Sequence, residues 1–159
     1  MIDAATLARI DALQQRYARV LDARDMAGWA DCFSENASYI CIPRENVEQD
    51  LPVALMMDDS LARIHDRVTY IGKVWVGTFE DYQTRHFVQR IDCARRGPGL
   101  VAVESNFMVA YTTARGRSEI LVAGTYEDAI ELGPGDATFR AKKAVLDTAT
   151  TPRYLVYPV

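Results

Sequence analysis

The chain has 159 residues, of which 49% are apolar and 25% are charged, and its formal net charge at pH 7 is −4. This length suits one ordinary domain with one core, and the composition is typical of a soluble globular protein. The acidic balance argues against nucleic acid as a partner, and no apolar run approaches the roughly 18 to 20 residues that cross a bilayer.

The start of the chain and its cysteines indicate the compartment. MIDAATLARIDAL has an early aspartate and a helical period, and it lacks the charged-then-apolar layout of a secretion signal. Cys32, Cys41 and Cys93 are widely spaced and form neither a CxxC motif nor a metal knuckle. We therefore expect a cytoplasmic protein with reduced, mostly buried thiols and no membrane partner.

The first half of the chain has the period of helices. Apolar residues recur at spacings of three and four over residues 7–21, which predicts a helix with one buried face. Asp25 is placed to cap a second, short helix, and Ser60 to cap a third over residues 61–71. Between them, the sequence ASYICIP at 37–43 predicts a short strand.

The second half changes to the period of strands, after a polar segment at 43–52 that predicts a loop. Turns rich in glycine separate four β-rich stretches, which are 84–95, 100–113, 117–130 and 137–147. Turns at these intervals are typical of an antiparallel meander. The order predicts an α+β cone, with N-terminal helices packed on a strongly curved antiparallel or mixed sheet. We expect one domain over residues 1–159.

Histidine is scarce in this chain, which limits its iron chemistry. A Rieske cluster takes two cysteines and two histidines, and a mononuclear facial triad takes two histidines and a carboxylate. Together they need four histidines, whereas the chain has His65 and His86 and no C-x-H or C-x-x-H motif. The two histidines also lie on different predicted elements without ligand spacing. We expect no metal site and no cofactor in this chain.

His86, in the stretch TRHFVQRID, is the candidate for acid–base catalysis. Open cones can bury an aspartate beside a general base, and Asp22 and Asp25 are the candidate acids. The competing interpretations are structural, because a strand histidine commonly serves as a hydrogen-bond donor and Asp25 is placed to cap a helix. Nucleophile motifs such as G-x-S-x-G and phosphate-binding glycine loops are absent from the sequence.

Four stretches follow one another in a familiar order. They are VLDARDMAGWADCFSENASYICIP, MMDDSLARIHDRVTYIGKVW, TRHFVQRID, and SNFMVAYTTARGRSEILVAGTYED followed by KKAVLDTATTPRYLVYPV. In this order they resemble the small (β) subunits of ring-hydroxylating oxygenases, the Rieske non-haem iron enzymes of aromatic degradation. Residues 80–83 depart from the Pro-x-Ser that often precedes Thr-Arg-His in the family. The short N-terminal arm is more similar to the benzoate, anthranilate and salicylate group.

The resemblance implies a fold similar to the nuclear-transport-factor cone and a non-catalytic role. Such a small subunit carries no cofactor, whereas the large (α) subunit holds the Rieske [2Fe–2S] cluster and the mononuclear iron. It forms a trimer that supports three large subunits, and a reductase, in some systems with a ferredoxin, supplies electrons to the large subunit. The implied substrate is an aromatic carboxylate such as salicylate, anthranilate or benzoate.

The resemblance also gives structural or interface roles to particular side chains. Two of them are donors on a strand, able to bond a neighbouring carbonyl or carboxylate. Others belong to the apolar tail YLVYPV, which would be a hazard if it were exposed on a monomer. The candidate residues are Arg85, His86, Trp75, Asp147, Tyr154 and Tyr157.

Two alternatives stand beside this interpretation. The chain could be a stand-alone cone-fold dehydratase or isomerase that uses His86 and Asp25 as an acid–base pair. It could also be a cone-fold binding or scaffold module for another partner, because this fold supports unrelated activities.

Overall fold

The computed structural model describes residues 2–159, so residue 1 of the predicted domain lies outside the described residues. In chain order the elements are α1 (Ala4–Asp22), α2 (Met26–Ala30), β1 (Phe33–Pro43), α3 (Arg44–Glu48), β2 (Met56–Asp58), α4 (Leu61–Tyr70), a π-helical turn (Ile71–Trp75), β3 (Tyr82–Gly97), β4 (Leu100–Thr113), β5 (Ser118–Leu132) and β6 (Ala137–Leu146). Within residues 2–159, no helix is long and apolar enough to cross a membrane.

Side-chain caps mark the starts of α1, α2 and α4. The Asp3 carboxylate accepts the Thr6 N–H at the start of α1, at 2.8 Å. At α4 the Ser60 hydroxyl accepts the Arg63 N–H at 3.3 Å, which confirms the predicted cap. The apolar face of α1 is buried in the core as its spacing predicts, through Ile10, Leu13, Tyr17 and Leu21.

Within the described residues, six strands form one mixed sheet in the order β2-β1-β6-β5-β4-β3. The β1–β6 pair is parallel and the other pairs are antiparallel. Register shifts in the ladders indicate bulges, which bend and twist the strands they interrupt. The four predicted β-rich stretches and the α+β class are confirmed, and β3 and β2 are the two edges of this sheet.

Two elements were not predicted from the sequence, one inside the predicted loop at 43–52 and one just after it. Residues 44–48 form the short helix α3, which begins directly after Pro43 and buries no residue. Residues 56–58 form β2, which pairs with β1 over Tyr39–Cys41. Elements of five and three residues are too short to show a period, so the sequence pattern did not reveal them.

The interior of the cone is filled by aromatic rings from the helices and the sheet. Tyr17 of α1 lies edge-on to Phe139 of β6, with ring centroids 5.4 Å apart. Tyr126 and Phe107, on neighbouring strands, stack with centroids 4.0 Å apart. The last residue, Val159, is 2% exposed, and its carbonyl accepts the Tyr17 hydroxyl at 2.8 Å. The end of the apolar tail therefore packs into this core.

Gly124 on β5 tests how closely strands β5 and β6 approach each other. A Cβ built on Gly124 would lie 2.0 Å from the Val145 carbonyl oxygen of β6, which is backbone and cannot rotate away. We expect Gly124→Ala to lower the free energy of unfolding by about 3 kcal/mol or more. Gly72→Ala is the matched control, because a Cβ there meets no atom within 4 Å.

Chemical denaturation of both variants measures the difference. The control should be neutral or more stable by about 0.5 kcal/mol, because alanine reduces the entropy of the unfolded chain. Equal stability of the two variants would contradict the close β5–β6 approach.

Candidate functional site

Asp22 and His86 form a buried pair between the end of α1 and strand β3. His86 Nδ1 lies 2.6 Å from Asp22 Oδ1, and the His86 backbone N–H donates to Asp22 Oδ2 at 3.1 Å. The Thr84 hydroxyl donates to the same carboxylate at 3.0 Å. The His86 side chain is 3% exposed and that of Asp22 is 16% exposed.

The pKa of Asp22 decides which group of the pair donates the hydrogen bond and which accepts it. Burial raises the pKa of Asp22, but the bonds from His86 and Thr84 outweigh it and hold this pKa below its ordinary value of 3.8. An ionised carboxylate can only accept, so Nδ1 of His86 carries a proton. His86 Nε2 is buried and has no hydrogen-bond partner among the described residues.

Asp25 is not the acid beside His86, so the pairing predicted for the alternative function is corrected here. The Asp25 carboxylate accepts the Gly28 N–H at 2.8 Å and caps α2. The chain turns between the two aspartates, because Arg24 has a φ of 57°. This turn leaves Asp22 facing β3 and directs Asp25 to the start of α2.

Further contacts continue along the same side of α1. Asp11 bonds Arg90 through Nε at 2.8 Å and a second guanidinium nitrogen at 3.2 Å, and Asp3 reaches Arg95 at 3.2 Å. We call the three pairs Asp3–Arg95, Asp11–Arg90 and Asp22–His86 the α1–β3 seam. Asp3–Arg95 is exposed and contributes little, Asp11–Arg90 is half-buried, and Asp22–His86 is the most buried of the three pairs.

A surface pocket of about 480 Å³ lies in this seam. Gln14, Gln15 and Ala18 of α1 form one wall, and His86 and Val88 of β3 contribute to the other. The Gln14 amide is itself fixed, because it donates to the buried Ser105 hydroxyl at 2.7 Å. The structure thus brings an oriented imidazole to the wall of a pocket between helix and edge strand.

A second buried pair, Lys142–Asp128, lies inside the cone and was not identified from the sequence. Lys142 Nζ is 3.1 and 3.2 Å from the two Asp128 oxygens, and the side chains are 1% and 0% exposed. The Nζ atom also lies 3.4 Å from the centroid of the Tyr126 ring. Burial lowers the pKa of Lys142 and raises that of Asp128. The sequence held one signal for the burial of Asp128. It follows Tyr126 by two residues on β5, and residues two apart on a strand lie on the same face of the sheet.

The remaining candidate residues are spread over the surface. Arg85 is exposed and donates to the Thr84 carbonyl at 3.0 Å, whereas Asp147 accepts from Arg44 at 2.8 Å. Tyr154 is 80% exposed. None of these three contacts His86 through a hydrogen bond in the described part of the chain.

The last two candidates belong to aromatic clusters. Trp75 ends the π-helical turn and lies edge-on to Tyr70, with centroids 6.2 Å apart. Tyr157 packs edge-on against Phe79 and Tyr82, at 5.9 and 6.4 Å. Both residues are half-buried, and neither lies at the His86 pocket.

Chemistry based on metals or thiols has little support in the described residues. Among residues 2–159, no group of three or more His, Cys, Asp and Glu side chains is placed to hold a metal ion. Burial raises the pKa of Cys32 to about 11 and that of Cys41 to about 12, so neither is a ready thiolate.

Comparisons with known proteins agree along nearly the whole chain. A family model described as "Ring hydroxylating beta subunit" matches residues 16–153. The small subunit of anthranilate 1,2-dioxygenase from Burkholderia cepacia is 28% identical, over 99% of this chain and 96% of that protein.

Solved structures of beta subunits of ring-hydroxylating dioxygenases also superpose on this chain. A beta subunit assigned to an aromatic-ring-hydroxylating dioxygenase of Novosphingobium aromaticivorans superposes with a TM-score of 0.82 and 28% identity, covering 93% of this chain and 94% of that one. The beta subunit of benzoate 1,2-dioxygenase from Burkholderia mallei gives 0.73 at 20% identity, covering 92% and 91%. The second match shows the shared fold.

The Asp22–His86 pair makes a prediction about acid stability. Because the pKa of Asp22 is lower in the folded state, the pair stabilises the fold above about pH 4, and this contribution is lost as the pH falls through the folded pKa. Asp22→Asn should lower the free energy of unfolding at neutral pH by about 2 kcal/mol.

Denaturant titrations between pH 2 and pH 7 test this expectation. Below pH 4 the difference between wild type and Asp22→Asn should shrink, while Asp3, Asp81 and Glu119, whose pKa values are also lowered, keep acting in both proteins. A difference that stays constant with pH would refute the role of the ionised carboxylate.

Proposed function

The chain belongs to the ring hydroxylating beta subunit family, the small subunits of aromatic-ring-hydroxylating oxygenases, and on that premise we propose that it is a non-catalytic subunit. Its role is to stabilise the catalytic large subunit of an oxygenase that acts on an aromatic carboxylate. The chain is then part of an enzyme without holding the active site.

The filled cone is the observation that carries the non-catalytic role. Tyr17, Phe107, Tyr126 and the Lys142–Asp128 pair occupy the interior, and their side chains are at most 5% exposed. A substrate pocket of about 300 Å³ or more in this interior would require these groups to move. The interior therefore supports a structural use of the fold.

The partner follows from the family, because a small subunit of these oxygenases works with a large catalytic subunit. We further propose a trimer of this chain that carries three large subunits. The Rieske [2Fe–2S] cluster and the mononuclear iron belong to the large subunit, which receives electrons from a reductase, directly or through a ferredoxin. The histidine count supports this division, since the chain has two histidines and His86 is bonded to Asp22.

The substrate class is proposed from the relatives. One is a subunit of an anthranilate dioxygenase and another is a subunit of a benzoate dioxygenase, and both of these names specify an aromatic carboxylate. We propose the same class for the complex that contains this chain. We also propose that exposed Arg85 and Tyr154 contact neighbouring subunits, whereas Trp75, Tyr157 and Asp147 support the fold of this one.

One observation favours a second function, that of a stand-alone dehydratase or isomerase. A carboxylate–histidine pair beside a pocket is the arrangement of a general base, and here Asp22 replaces Asp25 as its acid. Against it, His86 is 3% exposed and the cone interior is filled. We therefore rank it second.

Purification of the chain alone and with its large subunit tests the proposed function. Alone, it should be colourless, contain less than stoichiometric iron by elemental analysis, and take up no oxygen with an aromatic acid. Mixed with the large subunit, it should form a stable complex that consumes oxygen. Turnover of an aromatic acid by the chain alone would overturn the proposal.

A further inference from the structure

The apolar tail YLVYPV, residues 154–159, fills part of the cone interior as a ligand would. Val156 and Val159 are each 2% exposed. The Val159 carbonyl accepts the Tyr17 hydroxyl at 2.8 Å, and the Val159 N–H donates to the Tyr39 hydroxyl at 3.0 Å. Without the tail, these two buried hydroxyls would face the apolar space that it vacates. The tail therefore occupies a space that already has polar groups on its wall.

The polar groups beside this space are donors that the tail does not fully use. Burial raises the pKa of Tyr17 and that of Tyr39 well above their ordinary value of 10, so both hydroxyls keep their protons. Trp29 Nε1 and the Tyr126 hydroxyl are also buried and have no hydrogen-bond partner among the described residues. The Trp29 ring centroid lies 5.4 Å from that of Tyr39, and the Tyr126 centroid lies 6.1 Å from that of Tyr17. Such a group of donors favours an occupant that offers an oxygen acceptor.

The charges of the interior favour an acceptor that is itself uncharged. Lys142 Nζ lies 4.4 Å from the centroid of the Tyr17 ring, but it is already paired with Asp128 at 3.1 Å. An anion that entered beside this pair would lose its hydration without gaining an unpaired cation. A neutral carbonyl group loses much less on leaving water. The space therefore selects a ketone, aldehyde or amide with a small apolar body.

The tail is held by side chains, so it can separate from the sheet. Residues 148–159 make no backbone–backbone hydrogen bond to other described residues. The Arg153 guanidinium instead lies 4.5 and 5.3 Å from the ring centroids of Tyr82 and Tyr111, and it pairs with Glu80 at 3.5 Å. Arg153 thus anchors the tail to β3 and β4. The tail can leave without breaking a backbone bond of the sheet, and local opening of this kind has a lower free energy than global unfolding.

We propose that the apolar tail is a displaceable plug in a latent binding site, and that this site binds a small uncharged carbonyl compound through the hydroxyls of Tyr17 and Tyr39. The ligand takes the place of the Val159 carbonyl after the tail has opened. The site goes beyond the proposed function, since it needs neither a large subunit nor a reaction. In the closed chain the interior stays filled, as the non-catalytic role requires.

Hydrogen exchange of the wild-type chain with acetophenone as the probe tests this site. The Val159 amide reports on the tail, because it donates to the buried Tyr39 hydroxyl. A ligand that binds only the open state raises its population, so acetophenone at about ten times its dissociation constant for that state should speed Val159 exchange about tenfold. The Asp147 amide is the internal control, since it precedes the tail and donates to the Ala123 carbonyl at 3.0 Å. Its exchange should not change.

Ethylbenzene is the matched probe, because it has a similar shape and lacks the carbonyl oxygen. Binding that is weaker by about tenfold, the size of one buried hydrogen bond, leaves about a twofold rise in Val159 exchange at the same concentration. Equal effects of the two probes would show that the hydroxyls select nothing, and would overturn the proposed ligand class.

Two variants of the full chain test the anchor. Arg153→Ala should speed Val159 exchange by about fivefold or more without any probe, because the cation–π contacts and the ion pair are lost. Arg115→Ala is the matched control, since Arg115 is exposed in the turn between β4 and β5. The control should exchange as wild type does.

Three results would overturn the inference. The first is Val159 exchange that acetophenone leaves unchanged in both wild type and Arg153→Ala. The second is an equal rise at the Asp147 amide, which would show general destabilisation of the fold by the probe. The third is a rise that depends on protein concentration, which would show that the tail exchanges between two copies of the chain.

Discussion

The bond between Asp22 and His86 is the contact on which the shape of this cone depends. It joins the last residue of the long helix α1 to the edge strand β3, at the side of the sheet where no further strand follows in the described chain. The same carboxylate accepts the His86 backbone N–H, so it also satisfies a group on the free edge. This contact fixes the end of α1 against β3, and the buried apolar face of the helix closes the core.

The second constraint is the filled interior, which sets how this fold can be used. Lys142 and Asp128 are nearly inaccessible; their charges stabilise each other, and the ring of Tyr126 also stabilises the Lys142 ammonium. Breaking such a pair by removing one partner typically costs about 3–5 kcal/mol. A cone filled in this way cannot admit a substrate unless these groups move. Its contacts with other subunits are therefore made at its surface.

The sequence predicted the fold well where periodic patterns were long. The helix over residues 7–21, the Ser60 cap and the four β-rich stretches were recovered, whereas α3 and β2 were too short to show a period. At the candidate site, His86 was singled out from histidine scarcity, but its acid partner was assigned to Asp25. Asp22 and Asp25 are three residues apart, and only the turn at Arg24 decides which of them faces β3. The Lys142–Asp128 pair joins residues of two strands, so its contact depends on the β5–β6 register, which the sequence does not display.

The filled interior can be tested directly by titrating the isolated chain with an aromatic acid while NMR follows the ring resonances of Phe107 and Tyr126. The account predicts that these resonances do not shift up to the solubility limit of the acid, because the stacked rings leave no room for a ligand. A saturable shift of either ring would show a ligand inside the cone and would contradict the non-catalytic role.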